Sequence, residues 1–95
     1  MNIAFLNGTY LPLEEAKISP LDRGFLFGDG IYEVVPSYAG KMVGFGPHIE
    51  RMNSGLDAIG ISLDWSESDW ADLCNQLIEK NGAGNLGIYL HVTRG

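Results

Sequence analysis

Arg51 is the side chain in this sequence best suited to chemistry, and the chemistry it suits is the holding of an anion. A phosphate needs fixed donors, and a guanidinium fork offers paired charge-assisted hydrogen bonds that an ammonium does not. Pro47 is placed to open a helix, so Arg51 is expected in that helix's first turn, where the dipole favours an anion. On residue type alone, a solvated surface arginine is the commoner outcome. Tyr32 is the second candidate. It follows a segment punctuated by Pro20, Gly24, Gly28 and Gly30, and a strand that starts directly after such a turn aims its side chains at a fixed point. Tyr32 shares a face with Val34 in an alternating strand, whereas Glu33 points the other way and reads as structural. The competing reading of Tyr32 is a core tyrosine with its hydroxyl satisfied at the edge. Tyr89 and His91 project to one face of the last strand, together with Gly87 and Thr93, and for His91 the residue type favours a satisfied core or surface histidine over a site role.

Candidates for covalent work are poor. Lys17 precedes the glycine-rich segment, Lys41 adjoins a hairpin turn and Lys80 lies at a helix end, so all three read as exposed. The single cysteine, Cys74, rules out an internal disulfide and fits a reducing compartment. It falls on the apolar stripe of a helix, which makes packing its expected role. Asp22 and Arg23 read as a turn-stabilising pair.

The elements that must position these residues follow from periodicity and turn chemistry. Ile3 to Leu6 and Thr9 to Leu13 flank Asn7-Gly8, a tight-turn dipeptide. Ile31 to Tyr38 and Lys41 to Phe45 flank Ala39-Gly40 in the same way, with Pro36 suggesting an edge strand or a bulge. Ile49, Met52, Leu56 and Ile59 recur at helical spacing after Pro47, and Gly60 is placed to end that helix. Ser66 is set to cap a second helix, with Asp69 three residues on. Trp70, Leu73, Cys74, Leu77 and Ile78 form its buried stripe, and Asn81-Gly82 stops it. Leu86 to Thr93 reads as the closing strand. Hairpins with grouped helices imply an α+β fold, an antiparallel sheet with two helices packed on one face.

A chain of 95 residues can bury one modest core, so residues 1–95 are expected to form one domain. No apolar run approaches the roughly 20 residues that span a bilayer, so no membrane partner is expected. Met1-Asn2-Ile3 lacks a basic leader, which with the lone cysteine points to the cytoplasm. A net charge of −6, with only six scattered Lys and Arg, argues against nucleic acid as a partner. A few arginines still suffice for a positive pocket in an acidic protein.

Four blocks, taken together, resemble one family. They are Asn7-Gly8, the run from Asp22-Arg23-Gly24 to Val35, His48-Ile49-Glu50-Arg51, and Ile88-Tyr89-Leu90-His91-Val92-Thr93-Arg94-Gly95. In this order and spacing they resemble the N-terminal region of the fold-type IV (class IV) pyridoxal-phosphate enzymes. Gly28-Asp29-Gly30-Ile31-Tyr32-Glu33-Val34-Val35 is most similar to the D-amino acid aminotransferases. The resemblance implies a small N-terminal domain of this α+β kind beside a larger C-terminal one, with pyridoxal 5'-phosphate in the cleft between them. It implies that Arg51 binds the cofactor phosphate, that Tyr32 binds the substrate carboxylate, and that Val34 shapes the pocket. It also implies that Tyr89 and His91 line the active site and that His48 gives local support, by capping the helix or by holding Arg51.

The same resemblance places the Schiff-base lysine, and the carboxylate at the pyridine nitrogen, in the C-terminal domain beyond residue 95. The chain is therefore expected to be the incomplete N-terminal part of an aminotransferase, inactive by itself. The parent reaction would move an amino group from a D-amino acid such as D-alanine to a 2-oxo acid, in an enzyme that is a homodimer because each subunit completes its neighbour's carboxylate trap. The alternatives are a branched-chain aminotransferase, an aminodeoxychorismate lyase, or a stand-alone binding module without catalysis.

Overall fold

The two tight turns form where turn chemistry demands them, and they set the register of the sheets. A computed structural model describes residues 2–95. Strands β1 (Ile3–Leu6) and β2 (Thr9–Pro12) pair antiparallel across Asn7 and Gly8, whose φ values of 48° and 92° are both left-handed, as the tight turn requires. Strands β3 (Gly30–Tyr38) and β4 (Lys41–Met42) meet across Ala39 and Gly40, at 51° and 81°. Strand β5 (Leu86–Thr93) pairs along almost all of β3, from Gly30 opposite Thr93 to Ser37 opposite Leu86. The result is a two-stranded sheet and a three-stranded sheet of order β4-β3-β5.

Strand β4 is shorter than the apolar run suggested, because Phe45 already belongs to a helix. Gly44, at φ 68°, turns the chain and precedes α2 (Phe45–Ala58). Pro36 stands where β3 stops being central: β4 pairs only with Ser37 and Tyr38, and N-terminal to them β3 has a strand, β5, on one side alone. The Pro36 carbonyl accepts from Val43 beside β4, so its nitrogen faces that same side, where the ladder of β4 ends at Met42 and no donor is needed. From Gly30 to Val35, β3 is therefore open along one side.

Helix α3 (Glu67–Lys80) starts at the expected capping box. Asp69 N–H donates to Ser66 Oγ and Ser66 N–H donates to Asp69 Oδ2. Ile49, Met52 and Leu56 of α2 and Trp70, Leu73, Cys74 and Ile78 of α3 pack on Val35, Ile88 and Leu90 of the sheet. The two helices thus cover one face, as the α+β reading required. The β1–β2 hairpin is tied to this core by Asn81, which accepts from Ile3 N–H and donates to the Ile3 carbonyl as a neighbouring strand would.

A short helix, α1 (Arg23–Phe27), occupies the segment expected to be loop. Asp22 caps it by accepting from Gly24 N–H at 2.8 Å and also accepts from Thr93 Oγ1, while Arg23 donates to the Gly95 carbonyl. Asp22 and Arg23 therefore do not pair with each other; both hold the end of β5. Among the described residues, no helix is long and apolar enough to cross a membrane.

Candidate functional site

Strand alternation divides the candidate residues between the two faces of the β3–β5 sheet. On the face away from the helices, Tyr32 lies opposite His91 and Val34 opposite Tyr89. Their side chains form one exposed aromatic cluster. The Tyr32 and Tyr89 rings stack at 5.8 Å, the His91 ring meets Tyr32 edge-on at 6.2 Å, and Tyr89 Oη is 2.8 Å from His91 Nδ1. Tyr32 is 62% exposed and Tyr89 59%, so the reading of Tyr32 as a core tyrosine does not hold. Such a face offers a phenol hydroxyl and an imidazole above an apolar floor, a surface that can receive a small polar molecule with an apolar portion.

The opposite face of β3 carries Glu33, only 5% exposed, at the centre of a second cluster. Arg51 Nε donates to Glu33 Oε2 at 2.7 Å and Arg51 Nη2 donates to Oε1 at 2.8 Å, a bidentate pair. His48 Nδ1 meets Oε1 at 2.7 Å. The Arg51 hydrogen bonds hold the Glu33 carboxyl at about 2, against the upward pressure of burial, and His48 adds to the lowering. Arg51 is in turn held charged by the Glu33 hydrogen bonds and charge.

Arg51 does not lie in the first turn of its helix. The helix begins at Phe45, two residues before Pro47, which places Arg51 in the second turn and beyond the strongest reach of the dipole. What holds Arg51 is an ion pair, not a helix terminus. Its side chain is 71% exposed, so the guanidinium reaches solvent beyond the carboxylate that grips it. His48 does not cap α2; it touches the carboxylate that holds Arg51. The central role of Glu33 was visible only as strand alternation, which set it on the helix-packed face where a lone carboxylate requires partners.

The glycine-rich segment and the last strand, far apart in sequence, are joined in space. Arg94 grips Asp29 with Nε at 2.7 Å and Nη2 at 3.2 Å, and Arg94 N–H donates to the Asp29 carbonyl. A Cβ on Gly30 would stand 2.6 Å from the Val92 carbonyl oxygen, and one on Gly24 only 2.2 Å from Thr93 Cγ2. These glycines serve close approach to β5. Lys17, Lys41 and Lys80 are exposed as expected, and Lys80 lies over the Tyr10 ring at 5.0 Å. Cys74 is buried in the core.

Residues 30–95 match the family described as amino-transferase class IV. A D-alanine aminotransferase of Staphylococcus epidermidis is 39% identical over 95 residues, covering 100% of this chain and 34% of that protein. The D-alanine aminotransferase of Listeria monocytogenes is 34% identical over 90 residues, 95% of this chain and 31% of that one. Among solved structures, a branched-chain aminotransferase from the thermophilic archaeon Thermoproteus uzoniensis, with norvaline, superposes at TM-score 0.86. It shares 21% identity over 97% of this chain and 33% of that one, which speaks for the fold. The chain thus spans about a third of the length of the proteins it matches.

Proposed function

The chain belongs to the class IV aminotransferase family, and on that premise we propose that it forms the N-terminal, substrate- and phosphate-holding wall of a D-amino acid aminotransferase. The parent protein would move an amino group from a D-amino acid such as D-alanine to a 2-oxo acid. The likeness to D-alanine aminotransferases over the whole chain supports the D-specific reading. The likeness to branched-chain enzymes, at about a fifth identity, concerns the fold.

The observation that carries the proposal is the bidentate grip of Glu33 on an otherwise exposed Arg51, from the strand whose flanking residues Tyr32 and Val34 present the aromatic face. With Nε and one hydrogen of Nη2 committed to Glu33, Arg51 keeps both hydrogens of Nη1 and the second of Nη2. That free fork fits a phosphate, so Arg51 would hold the phosphate of pyridoxal 5'-phosphate. When bound, this cofactor supplies an electron-accepting ring that lets an amino group be carried between substrates. Tyr32 would donate its hydroxyl to the substrate carboxylate and Val34 would bound the space for the side chain. Tyr89 and His91, hydrogen-bonded to each other, would fix the rest of that face, and His48 would support Glu33. The lysine and the ring-nitrogen carboxylate that the reaction needs would come from a second domain, and a homodimer would complete the carboxylate trap.

Full-length protein tests this directly. D-alanine with 2-oxoglutarate should yield pyruvate, whereas L-leucine in its place should be a poor donor; the reverse preference would replace the D-specific reading by the branched-chain one. Arg51→Ala should weaken pyridoxal 5'-phosphate roughly tenfold or more and leave the unphosphorylated pyridoxal nearly unaffected. Residues 1–95 alone should give no pyruvate above background, and steady turnover would refute the assignment of the covalent chemistry to another domain.

A further inference from the structure

We infer that Glu33 is a positioning residue for Arg51, fixing which edge of the guanidinium is left to meet a phosphate; the inference rests on the phosphate reading of Arg51 proposed above. An exposed arginine on a helix samples many rotamers, and each donor it offers is then placed only part of the time. Here the side of the fork formed by Nε and Nη2 is closed by two short bonds to one carboxylate. The guanidinium is planar, so gripping one edge fixes the plane and direction of the other. The grip is only as firm as Glu33 itself, and Glu33 is well fixed. It projects from the helix-packed face of β3, is almost fully buried, and is braced by His48 at Oε1. An ionised carboxylate only accepts, so His48 must present its Nδ1–H and is held in one tautomer or in the protonated form.

The chain of support runs from a strand paired on β5, through Glu33, to a side chain whose outer edge faces solvent. A carboxylate so close to a phosphate would ordinarily repel it. At Glu33 both oxygens are engaged, Oε1 by His48 and Arg51 and Oε2 by Arg51, so the negative charge is matched where it sits. Preorganisation of this kind raises affinity by removing the ordering cost from the binding step.

The test is a double-mutant cycle in the full-length protein, with Glu33→Gln, Arg51→Ala and the double variant titrated with pyridoxal 5'-phosphate and with pyridoxal. Glu33→Gln should weaken the phosphorylated compound roughly tenfold, leave pyridoxal within about twofold, and add nothing further in the Arg51→Ala background. In cofactor-free protein the Arg51 Nε–H resonance should be resolved in the wild type and lost in Glu33→Gln. Equal weakening of both compounds would assign Glu33 to general stability, and undiminished phosphate affinity would remove the positioning role; either result overturns the inference. If Arg51→Ala itself fails to distinguish the two compounds, the phosphate reading falls and takes this inference with it. Should Glu33→Gln not fold, His48→Gln is read in the same way. It keeps the arginine fork and removes its brace, with an expected loss of about threefold for the phosphorylated compound alone.

Discussion

Burial by itself would push the Glu33 carboxyl toward its neutral form, because it lies on the face of β3 that packs against the helices. The Arg51 hydrogen bonds reverse that, and the carboxyl falls from an ordinary 4.5 to about 2. A folded-state value below the unfolded one means that the ionised pair stabilises the fold fully above about pH 4.5, and that this contribution is lost as the pH falls through about 2. Glu33→Gln should therefore cost about 2 kcal/mol at pH 7. The gap to wild type should narrow steadily below pH 4.5, as measured by urea unfolding at a series of pH values. A gap independent of pH would mean that the charge of Glu33 contributes nothing. Cys74 shows burial acting without compensation: its thiol is pushed up to about 11. Since the thiolate is the reactive form, a disulfide reagent at about pH 8 should modify Cys74 only as fast as the protein opens, and urea should accelerate the reaction to that of a free thiol.

At the level of elements, the glycine-rich segment and the end of β5 act as a clasp that fixes the start of β3 and hence Tyr32. Gly30→Ala would drive a methyl group against the Val92 carbonyl, a backbone atom that can move only if the strands part. A loss of about 1–3 kcal/mol is expected, with broadening of the Tyr32 and His91 resonances beyond that caused by Ser66→Ala. The latter removes a helix cap far from the site and should cost about 1 kcal/mol. Equal local effects would dismiss the clasp. The two hairpins, both helix stripes, the capping box and β5 were legible because each depends on residues close in sequence. Asn7-Gly8 and Ser66–Asp69 act within a turn, and Ile49, Met52 and Leu56 within one helical face. What escaped depends on distant partners. Helix α1 has five residues and no buried one, and it is held by Thr93 and Gly95. Arg51 was legible as a residue suited to an anion and misplaced as a helix position, because Gly44, not Pro47, precedes the helix.

Taken as a whole, the molecule combines a net charge of −6 with large apolar side chains on its surface. The aromatic face of Tyr32, Val34 and Tyr89 is exposed, and so are Ile18, Leu21, Phe25 and Phe27 around α1, the two phenylalanines at 76% and 75%. Single apolar side chains on a surface need no explanation, but several large ones close together along the chain or on one strand face promote association. Charge repulsion among acidic copies opposes that association, and salt weakens the repulsion within a Debye length of about 8 Å at physiological ionic strength. Purified residues 1–95 should therefore show an apparent mass that rises with concentration and with added salt in light scattering. Phe25→Ser together with Phe27→Ser should reduce that rise without lowering the melting temperature, since neither side chain contributes to the core. A strictly monomeric chain at high salt would show that these surfaces tolerate water. The reading as a stand-alone binding module would then gain over that of one wall of a larger cleft.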